Sequence, residues 1–293
     1  MPEKVVYVSG SGGLGNQIHS LHAAYCAAIH GQSRIIFLLP RKKRRSLRLR
    51  EESLSTFDLG NSIDCPIVMI SPKGLNLIRW AGIKLRLRLM IKFNFVIDVP
   101  TTSELIPFMS AHCALNKSIH LGGHYENSKI PVKARLLGFP QEFSLRSPGA
   151  SFEQLKSAFR SPERKPIIGL HVRLGDFRDW QNGSFLLDAS YYKERLIRAL
   201  GKYPNADVWI FSDEPNVAAS FVGDISPVKV ISEDFELTNA EELSLLANSD
   251  LIIASHGTFS WWSCFWKERQ ENIYYPDPAL CLSEWVDVNL VKH

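Results

Sequence analysis

Several things this chain lacks narrow what it can be. No apolar run approaches the roughly 18 residues of a membrane-spanning helix, and the mean hydropathy is −0.07. Cysteine is sparse and unpaired in pattern: Cys26, Cys65, Cys113, Cys264 and Cys281 are widely spaced, with no Cys-x-x-Cys among them. That excludes a zinc ribbon and argues against a disulfide-stapled secreted scaffold. There is no P-loop, no Gly-x-Ser-x-Gly elbow and no His-Glu-x-x-His, so the usual nucleotide-triphosphate, serine-hydrolase and zincin chemistries have no carrier here. The opening Met1-Pro2-Glu3-Lys4 leads into a Val-rich segment without a signal-peptide core, so a cytoplasmic location is expected.

What is present is enough apolar surface for a sizeable core: 45% of residues are apolar and 22% charged, which excludes wholesale disorder. A length of 293 residues suits two domains better than one. The net charge of +4 hides an asymmetry: residues 1–150 carry 20 Lys and Arg against 9 Asp and Glu, whereas 151–293 carry 14 against 21. Halves of opposite sign fit two domains with different tasks.

The first segment reads as a β-α-β unit. A strand at 4–8 is broken by Gly10-Ser11-Gly12-Gly13-Leu14-Gly15, a helix spans 16–30 with Gly31 closing it, and a buried strand at 34–39 stops at Pro40. Residues 41–147 are less regular. From 165 onward strands are expected at 167–172, 208–211, 251–254 and 272–275. Helices are expected after Ser190, closing at Gly201, and at 240–247 and 259–268. Apolar strands alternating with helices mean a parallel sheet covered on both faces. The expected architecture is α/β with two Rossmann-like domains, 1–150 and 151–293, facing across a cleft, with the boundary in the Ser/Pro/Arg-rich stretch 144–165.

Four segments carry possible chemistry. Gly10-x-Gly12-x-x-Gly15 has the context of a dinucleotide loop, but no acidic ribose ligand follows; Pro40-Arg41-Lys42-Lys43-Arg44-Arg45 stands there instead. NAD is disfavoured, while NADP, or a tight turn and nothing more, stays open. His171-Val172-Arg173-Leu174-Gly175-Asp176 ends a predicted parallel strand, where open α/β sheets bind ligands. Arg173 is a planar cation suited to a diphosphate; Asp176 can orient a neighbour or accept a proton, and a simple Arg–Asp surface pair is the alternative. Ser212 and Asp213 end another strand, where they could meet a ribose or base or merely make a turn before Pro215. Ser255, Thr258, Phe259 and Ser260 lead into a helix and can cap it or offer hydroxyls and N–H groups to an anion. Trp261, Trp262, Phe265 and Trp266 cover most sides of that helix and read as core.

Residues 41–50 hold seven basic side chains and no acidic one, which suits a solvated loop, an anionic membrane surface or a pyrophosphate-bearing acceptor. Nucleic acid is disfavoured because no aromatic residue interleaves. Residues 83–89 alternate apolar and basic, as in an edge strand or a second membrane-facing patch.

Taken in order, these segments resemble the α-1,2-fucosyltransferases. Gly12-Gly13-Leu14-Gly15-Asn16-Gln17 is similar to that family's N-terminal Gly-x-Gly-Asn-Gln loop, and His171 to Phe177 to its His-x-Arg-Arg-Gly-Asp-Tyr donor motif. Tyr191-Tyr192, Phe211-Ser212-Asp213-Glu214 and Thr258-Phe259-Ser260-Trp261-Trp262 follow at suitable intervals, and His120 to Asn127 is loosely similar to a Gly-Tyr-x-Gln-Ser stretch. Leu174 stands where the family usually has a second arginine, and His19-Ser20 replaces an aromatic-Gln pair.

The resemblance implies a GT-B fold and inverting transfer of L-fucose from GDP-β-L-fucose to a galactoside hydroxyl in glycan or O-antigen synthesis. No metal is implied, and no Asp-x-Asp pair occurs in the chain. It places the acceptor on the first domain (His124, Tyr125 and Glu126) and the donor on the second. Gly15, Asn16, His171, Arg173, Ser212, Asp213, Ser255, Thr258, Phe259 and Ser260 would hold the donor, and Arg173 and Asp176 would be catalytic. A peripheral position on the inner face of the cell membrane follows from the basic run. An NADP-dependent oxidoreductase, or a nucleotide-sugar-binding protein without catalysis, remain the alternative readings.

Overall fold

The computed structural model describes residues 4–40, 54–59, 65–72, 76–99, 117–123, 125, 128–267 and 270–276. The chain divides into two units, Met1–Arg146 and Ser147–His293. In the first, β1 (Val5–Ser9), α1 (Leu14–Gly31), β2 (Arg34–Leu38), β3 (Ile67–Ile70), α2 (Asn76–Lys92), β4 (Val96–Val99), β5 (Ser118–Leu121) and α3 (Lys129–Leu136) follow one another. The five strands are parallel in the order β3-β2-β1-β5-β4. The Val-rich β1 is central, with Val6 and Val8 fully buried, and the Ala-rich face of α1 closes over the sheet.

Two local expectations change. α1 runs through Gly31, and Gln32 takes the left-handed position at φ 48°, its N–H donating to the Ala28 carbonyl. The 83–89 segment is not a strand but the middle of α2. Leu, Arg, Lys and Met are strong helix formers, and the pattern serves a helix because Trp80 and Leu87, seven residues apart, are its buried positions. Trp80 Nε1 donates to the Leu39 carbonyl at 3.0 Å, which fixes α2 beside β2. With β3, α2, β4, β5 and α3 inside 41–147, that stretch is more regular than expected.

The second unit comprises α4 (Ala150–Ser157), β6 (Ile167–Val172), α5 (Ala189–Lys202), β7 (Asp207–Ser212), α6 (Pro215–Val222), β8 (Val228–Val230), α7 (Asn239–Asn248), β9 (Leu251–Ile253), α8 (Thr258–Trp266) and β10 (Ile273–Tyr274). Its strands are also parallel, ordered β10-β9-β6-β7-β8. Every residue of β6 is buried, and Ile168, Leu170 and Val172 pack with Tyr192, Leu196 and Ala199 of α5 and with Ile210 of β7. Trp261, Trp262, Phe265 and Trp266 are core residues.

Caps explain where the helices begin. Asp188, not Ser190, caps α5, its carboxylate accepting from the Tyr191 N–H at 3.1 Å, and the helix passes through Gly201 to Lys202. Thr238 and Glu241 form a reciprocal capping box at α7. The other Glu241 oxygen accepts from Gly149 N–H at 2.7 Å, joining α7 to the start of α4. Cys26, Cys65 and Cys264 are buried thiols outside any disulfide.

Asp250 makes the clasp between β9 and β6. Its carboxylate accepts two bonds from Arg164, at 2.5 and 2.8 Å, and one from the Ile167 N–H at 2.8 Å. Burial works against its ionisation, but these bonds and the Arg164 charge hold its pKa below the ordinary value of 3.8. Replacement Asp250→Ala is expected to lower stability by about 2 kcal/mol in urea unfolding at pH 7, the scale of charge-assisted hydrogen bonds. Because the folded-state pKa is depressed, that difference is present above the ordinary carboxylate range and shrinks as pH falls through and below it.

Candidate active site

In the second unit the order of strand addition reverses at β6: β7 and β8 lie on one side, β9 and β10 on the other. Open α/β sheets bind ligands beyond the carboxyl ends of the strands at such a point. Three of the sequence motifs meet there, after β6, β7 and β9.

Arg173 follows β6 and is held from two sides. One guanidinium nitrogen lies 2.7 Å from Asp176 Oδ1 and another 3.0 Å from Asp213 Oδ2. Asp213 also accepts from the Leu174 N–H at 3.0 Å, so one carboxylate fixes both the backbone turn and the cation. Leu174 is buried in the core of this unit, which pins the turn from below. Arg173 is a third exposed while Asp176 is 69% exposed, so the Asp213 contact is the sheltered one. The guanidinium stands 5.7 Å from the Phe177 ring centre.

His171, Ser255 and Ser260 form a buried knot beneath that surface. His171 Nδ1 lies 2.5 Å from Ser260 Oγ and 2.9 Å from Ser255 Oγ. Ser260 Oγ accepts from the Ser255 N–H at 3.1 Å. Burial first, and the Arg173 charge second, depress the His171 pKa to about 3, so the ring is neutral. Phe259 leans on it, with ring centres 5.0 Å apart. The hydroxyls at 255 and 260 are thus spent on shaping the turn into α8. Gly257 makes that turn possible at φ +107°, and a Cβ there would lie 3.2 Å from Phe177. It leaves the start of α8, at Thr258, without a side-chain cap.

Ser212 and Glu214 behave as a turn. Ser212 Oγ accepts from the Glu214 N–H at 3.0 Å, and Glu214 pairs with Arg178 at 3.2 and 2.5 Å. That pair was not legible from the motifs. Nor was the aromatic row Phe177, Trp180, Phe185 and His256, whose successive ring centres are 5.4, 4.8 and 5.7 Å apart. Its signal was a Trp and a Phe inside an otherwise polar loop. Tyr191, from the Tyr191-Tyr192 pair, donates to the Ala254 carbonyl at 2.9 Å and ties α5 to the end of β9.

In the first unit Gly15 and Asn16 occupy the first turn of α1. Gly10 lies so close to β2 that a Cβ would meet Phe37 at 2.6 Å, and its N–H donates to the Leu38 carbonyl at 2.9 Å. This glycine serves strand packing. Tyr125 is fully buried; its hydroxyl donates to the Val99 carbonyl and accepts from the Gly123 N–H at 3.3 Å. That is a core position, so the placement gives no support to Tyr125 as an acceptor contact. His124, Glu126 and the basic run at 41–50 lie outside the described residues. Among the described residues no three His, Cys, Asp or Glu side chains gather as a metal site.

Residues 149–280 match the family model Glycosyl transferase family 11. That match lies within the second unit and covers 132 of the 293 residues, so it is a similarity of this part of the chain. No curated protein matches the chain in sequence. Solved structures match its fold. POFUT1 in complex with GDP-fucose is similar at TM-score 0.57 and 10% identity, over 94% of this chain and 98% of that one. NodZ, a fucosyltransferase from Bradyrhizobium, is similar at 0.51 and 15%, over 90% and 92%. Arabidopsis thaliana FUT1, as a mutant bound to GDP, is similar at 0.55 and 12%, over 93% and 70%. At these identities the likeness is one of fold: α/β and GT-B-like, with two parallel-sheet units.

A neutral buried histidine makes the second unit sensitive to acid. Unfolded His171 binds a proton near its ordinary value of 6.5, whereas the folded side chain does so only near 3. Stability is therefore lost as pH falls between those values. In urea unfolding, His171→Gln is expected to be less stable than wild type at pH 8 by about 1–3 kcal/mol. It should also lose stability less steeply below pH 6.5, since wild type carries an extra slope of up to about 1.4 kcal/mol per pH unit. Parallel slopes would contradict the placement of this histidine.

Proposed function

We propose that the protein transfers L-fucose from GDP-β-L-fucose, with inversion and without a metal, to a hydroxyl of a galactoside in glycan or O-antigen synthesis. The observation that carries this reading is Arg173, oriented by Asp213 at the end of β6 and adjoining the turn into α8 through Phe177. Breaking the sugar–phosphate bond builds negative charge on the leaving diphosphate, and fixed donors in a sheltered site stabilise it there. Arg173 supplies the charge; the N–H groups at the start of α8 supply a helix dipole pointing the same way. Asp176 holds Arg173 from the exposed side and yields it when a diphosphate arrives. POFUT1 and NodZ are recorded with GDP-fucose, which supports the same donor. NodZ is named an α-1,6-fucosyltransferase, so the fold does not choose the linkage; the α-1,2 assignment rests on the motif resemblance.

Calorimetry with GDP, GDP-fucose, GDP-mannose and NADPH, with EDTA throughout, tests the donor. GDP-fucose should bind and NADPH should not. Arg173→Ala is expected to lose about 3–4 kcal/mol of transition-state stabilisation, several hundredfold in kcat/KM. Binding of NADPH alone, or an Arg173→Ala variant keeping more than about a tenth of wild-type kcat/KM, would overturn the reading.

We also propose that the protein docks on the anionic inner face of a membrane. Among the described residues no helix is long and apolar enough to cross one, but α2 has the character of a helix lying in an interface. Its inner side buries Trp80 and Leu87, while Ile78, Leu85 and Leu89 are 80, 62 and 49% exposed. Helical spacing puts those three in one outward stripe, flanked by Arg79 and Arg86 on one side and Arg88 and Lys92 on the other. No acidic residue occurs in α2, and such a pattern seeks anionic lipid. The protein should sediment with phosphatidylglycerol vesicles in preference to phosphatidylcholine vesicles. A variant with Ile78→Ser, Leu85→Ser and Leu89→Ser should lose about tenfold or more of that partitioning. Equal binding to both vesicle types would remove the proposal.

A further inference from the structure

The first unit holds a set of polar groups that the sugar-transfer reading does not use. Its strand order, β3-β2-β1-β5-β4, reverses between β1 and β5, so this sheet too has a switch point of the kind at which ligands bind. Ser9 is the last residue of β1, and strand alternation puts its side chain on the face of Tyr7, two residues back. Tyr7, His120 of β5 and Asp98 of β4 are register partners across the three strands. Ser9 Oγ is 2.9 Å from His120 Nε2, and His120 Nδ1 is 2.7 Å from Asp98 Oδ1. A carboxylate only accepts, so Nδ1 carries the hydrogen and Nε2 is left to accept one from Ser9. Gly122 leaves room for the ring: a Cβ there would stand 2.8 Å from His120 Cε1. The loop after Ser9 adds donors. Gly12 takes φ +67°, and Gly12 and Gly13 are exposed. Among the described residues no acceptor takes the N–H groups of Ser11, Gly12 and Gly13, and the sheltered Ser11 hydroxyl has no partner. The 18-residue α1 then begins at Leu14, so the positive end of its dipole lies at the same strand edge. Successive main-chain N–H groups of this kind can hold an oxyanion.

We propose that Ser9, His120 and Asp98 are the nucleophile, base and orienting carboxylate of a hydrolytic site in the first unit, which cleaves esters of short carboxylic acids. This activity is separate from the sugar transfer proposed above and does not rest on it. The usual Gly-x-Ser-x-Gly elbow is absent, but the constellation recurs on unrelated folds and is recognised by geometry and roles. Ser9 Oγ bonds to the acyl carbon as its proton passes to His120 Nε2, and the carbonyl electron pair moves onto oxygen. That pair returns as the carbon–oxygen bond to the alcohol breaks, and the alcohol leaves with the proton from His120. Water then gives a proton to His120 and bonds to the acyl carbon, and Ser9 leaves and recovers its hydrogen. The products are the acid and the alcohol. Asp98 orients the ring and stabilises the imidazolium without itself becoming protonated.

The surroundings suit a base. Burial lowers the His120 pKa, Asp98 works against that by hydrogen bond and charge, and Lys84 of α2 adds to the lowering. Tyr7 faces the ring from β1 as its register partner. With the pKa below 6.5, the ring is neutral near pH 7 and ready to accept. The His120 side chain is 12% exposed, which admits a small acyl group and not a long one.

The test is hydrolysis of p-nitrophenyl acetate by the full chain, with diisopropyl fluorophosphate as a covalent probe and thermal melting as the check on folding. The wild-type protein should carry the probe on Ser9, located by peptide mass spectrometry, and lose its ester hydrolysis as the probe is taken up. Ser9→Ala and His120→Gln should each lower kcat/KM for the ester by about 100-fold or more, the scale of general base catalysis. Asp98→Asn should lower it as well and shift the acid limb of its pH profile to lower pH, because the carboxylate raises the His120 pKa. A chain of hydrogen bonds that only pinned the strand ends would alter melting and leave the rate and the acid limb in place, which overturns the proposal. So does a wild-type protein that hydrolyses the ester no faster than Ser9→Ala, or one that carries no probe on Ser9. The probe is read on the wild-type protein, so it decides even where a variant fails to fold. GDP-fucose enters neither readout, so the sugar-transfer reading can fail and leave this one standing.

Discussion

The carboxylate of Asp213 is the contact on which the strand-end site of the second unit depends. Standing at the end of β7, it takes the Leu174 N–H with one oxygen and the Arg173 guanidinium with the other. The strand pair β6–β7 fixes the distance between those groups, since Val172 and Ser212 are register partners. A planar cation in solution has many orientations; here two covalent neighbours, Arg173 and Leu174, are tied to one carboxylate. The buried Leu174 side chain removes the remaining freedom of the turn. Preorganisation of this kind is what lets a single charge act on a developing negative charge without rearranging first.

The same economy explains why residues suited by type to touch a ligand do not all lie on the surface. Ser255 and Ser260 shape the entry to α8 through His171, and Ser212 shapes the entry to α6. The Ser260 and Ser212 hydroxyls accept from the Ser255 and Glu214 N–H groups, and the Ser255 hydroxyl donates to the His256 carbonyl, so buried and half-buried backbone groups find partners. What they determine is where Arg173 and the first turn of α8 point. A sequence motif at a strand end therefore mixes groups that meet a ligand with groups that hold the first kind in place.

Much of the fold was legible because the patterns were local. β6 is legible to the residue because Ile167, Ile168, Leu170 and Val172, bounded by Pro166 and Arg173, make the apolar segment expected of a buried parallel strand. At 83–89 the edge-strand alternative fails, although alternating apolar and basic residues over seven positions satisfy both periods. Only the burial of Trp80 and Leu87, two turns apart, decides between them. Gln32 replaced Gly31 at the left-handed cap because the helix kept one more residue before turning to β2. At the end of β6 the motif is visible in the sequence, but the partner of Arg173 across the sheet is not: by sequence Asp213 suits a ribose or base contact or a simple turn, and the structure adds its contact with Arg173. The grouping of Ser9, Asp98 and His120 has no signal in the sequence beyond the loose motif that begins at His120, because only the strand order of the sheet brings the three together.

The two units share one organisation, five parallel strands with the reversal of strand order beside the first strand of each sheet, β1 and β6. The groups gathered at the two reversals differ in kind. At β6 a cation is clamped by carboxylates, which suits a ligand carrying fixed negative charge. At β1 a hydroxyl, an imidazole and a carboxylate are aligned, which suits a ligand open to attack by an oxygen nucleophile. The overall charge is arranged the other way, with the basic excess in 1–150 and the acidic excess in 151–293. Net charge of a unit is therefore no guide to what its site binds. The basic excess belongs to surfaces such as α2, where it acts over a Debye length on whatever lies alongside, while the chemistry is set by a few groups held within hydrogen-bond distance at a strand end.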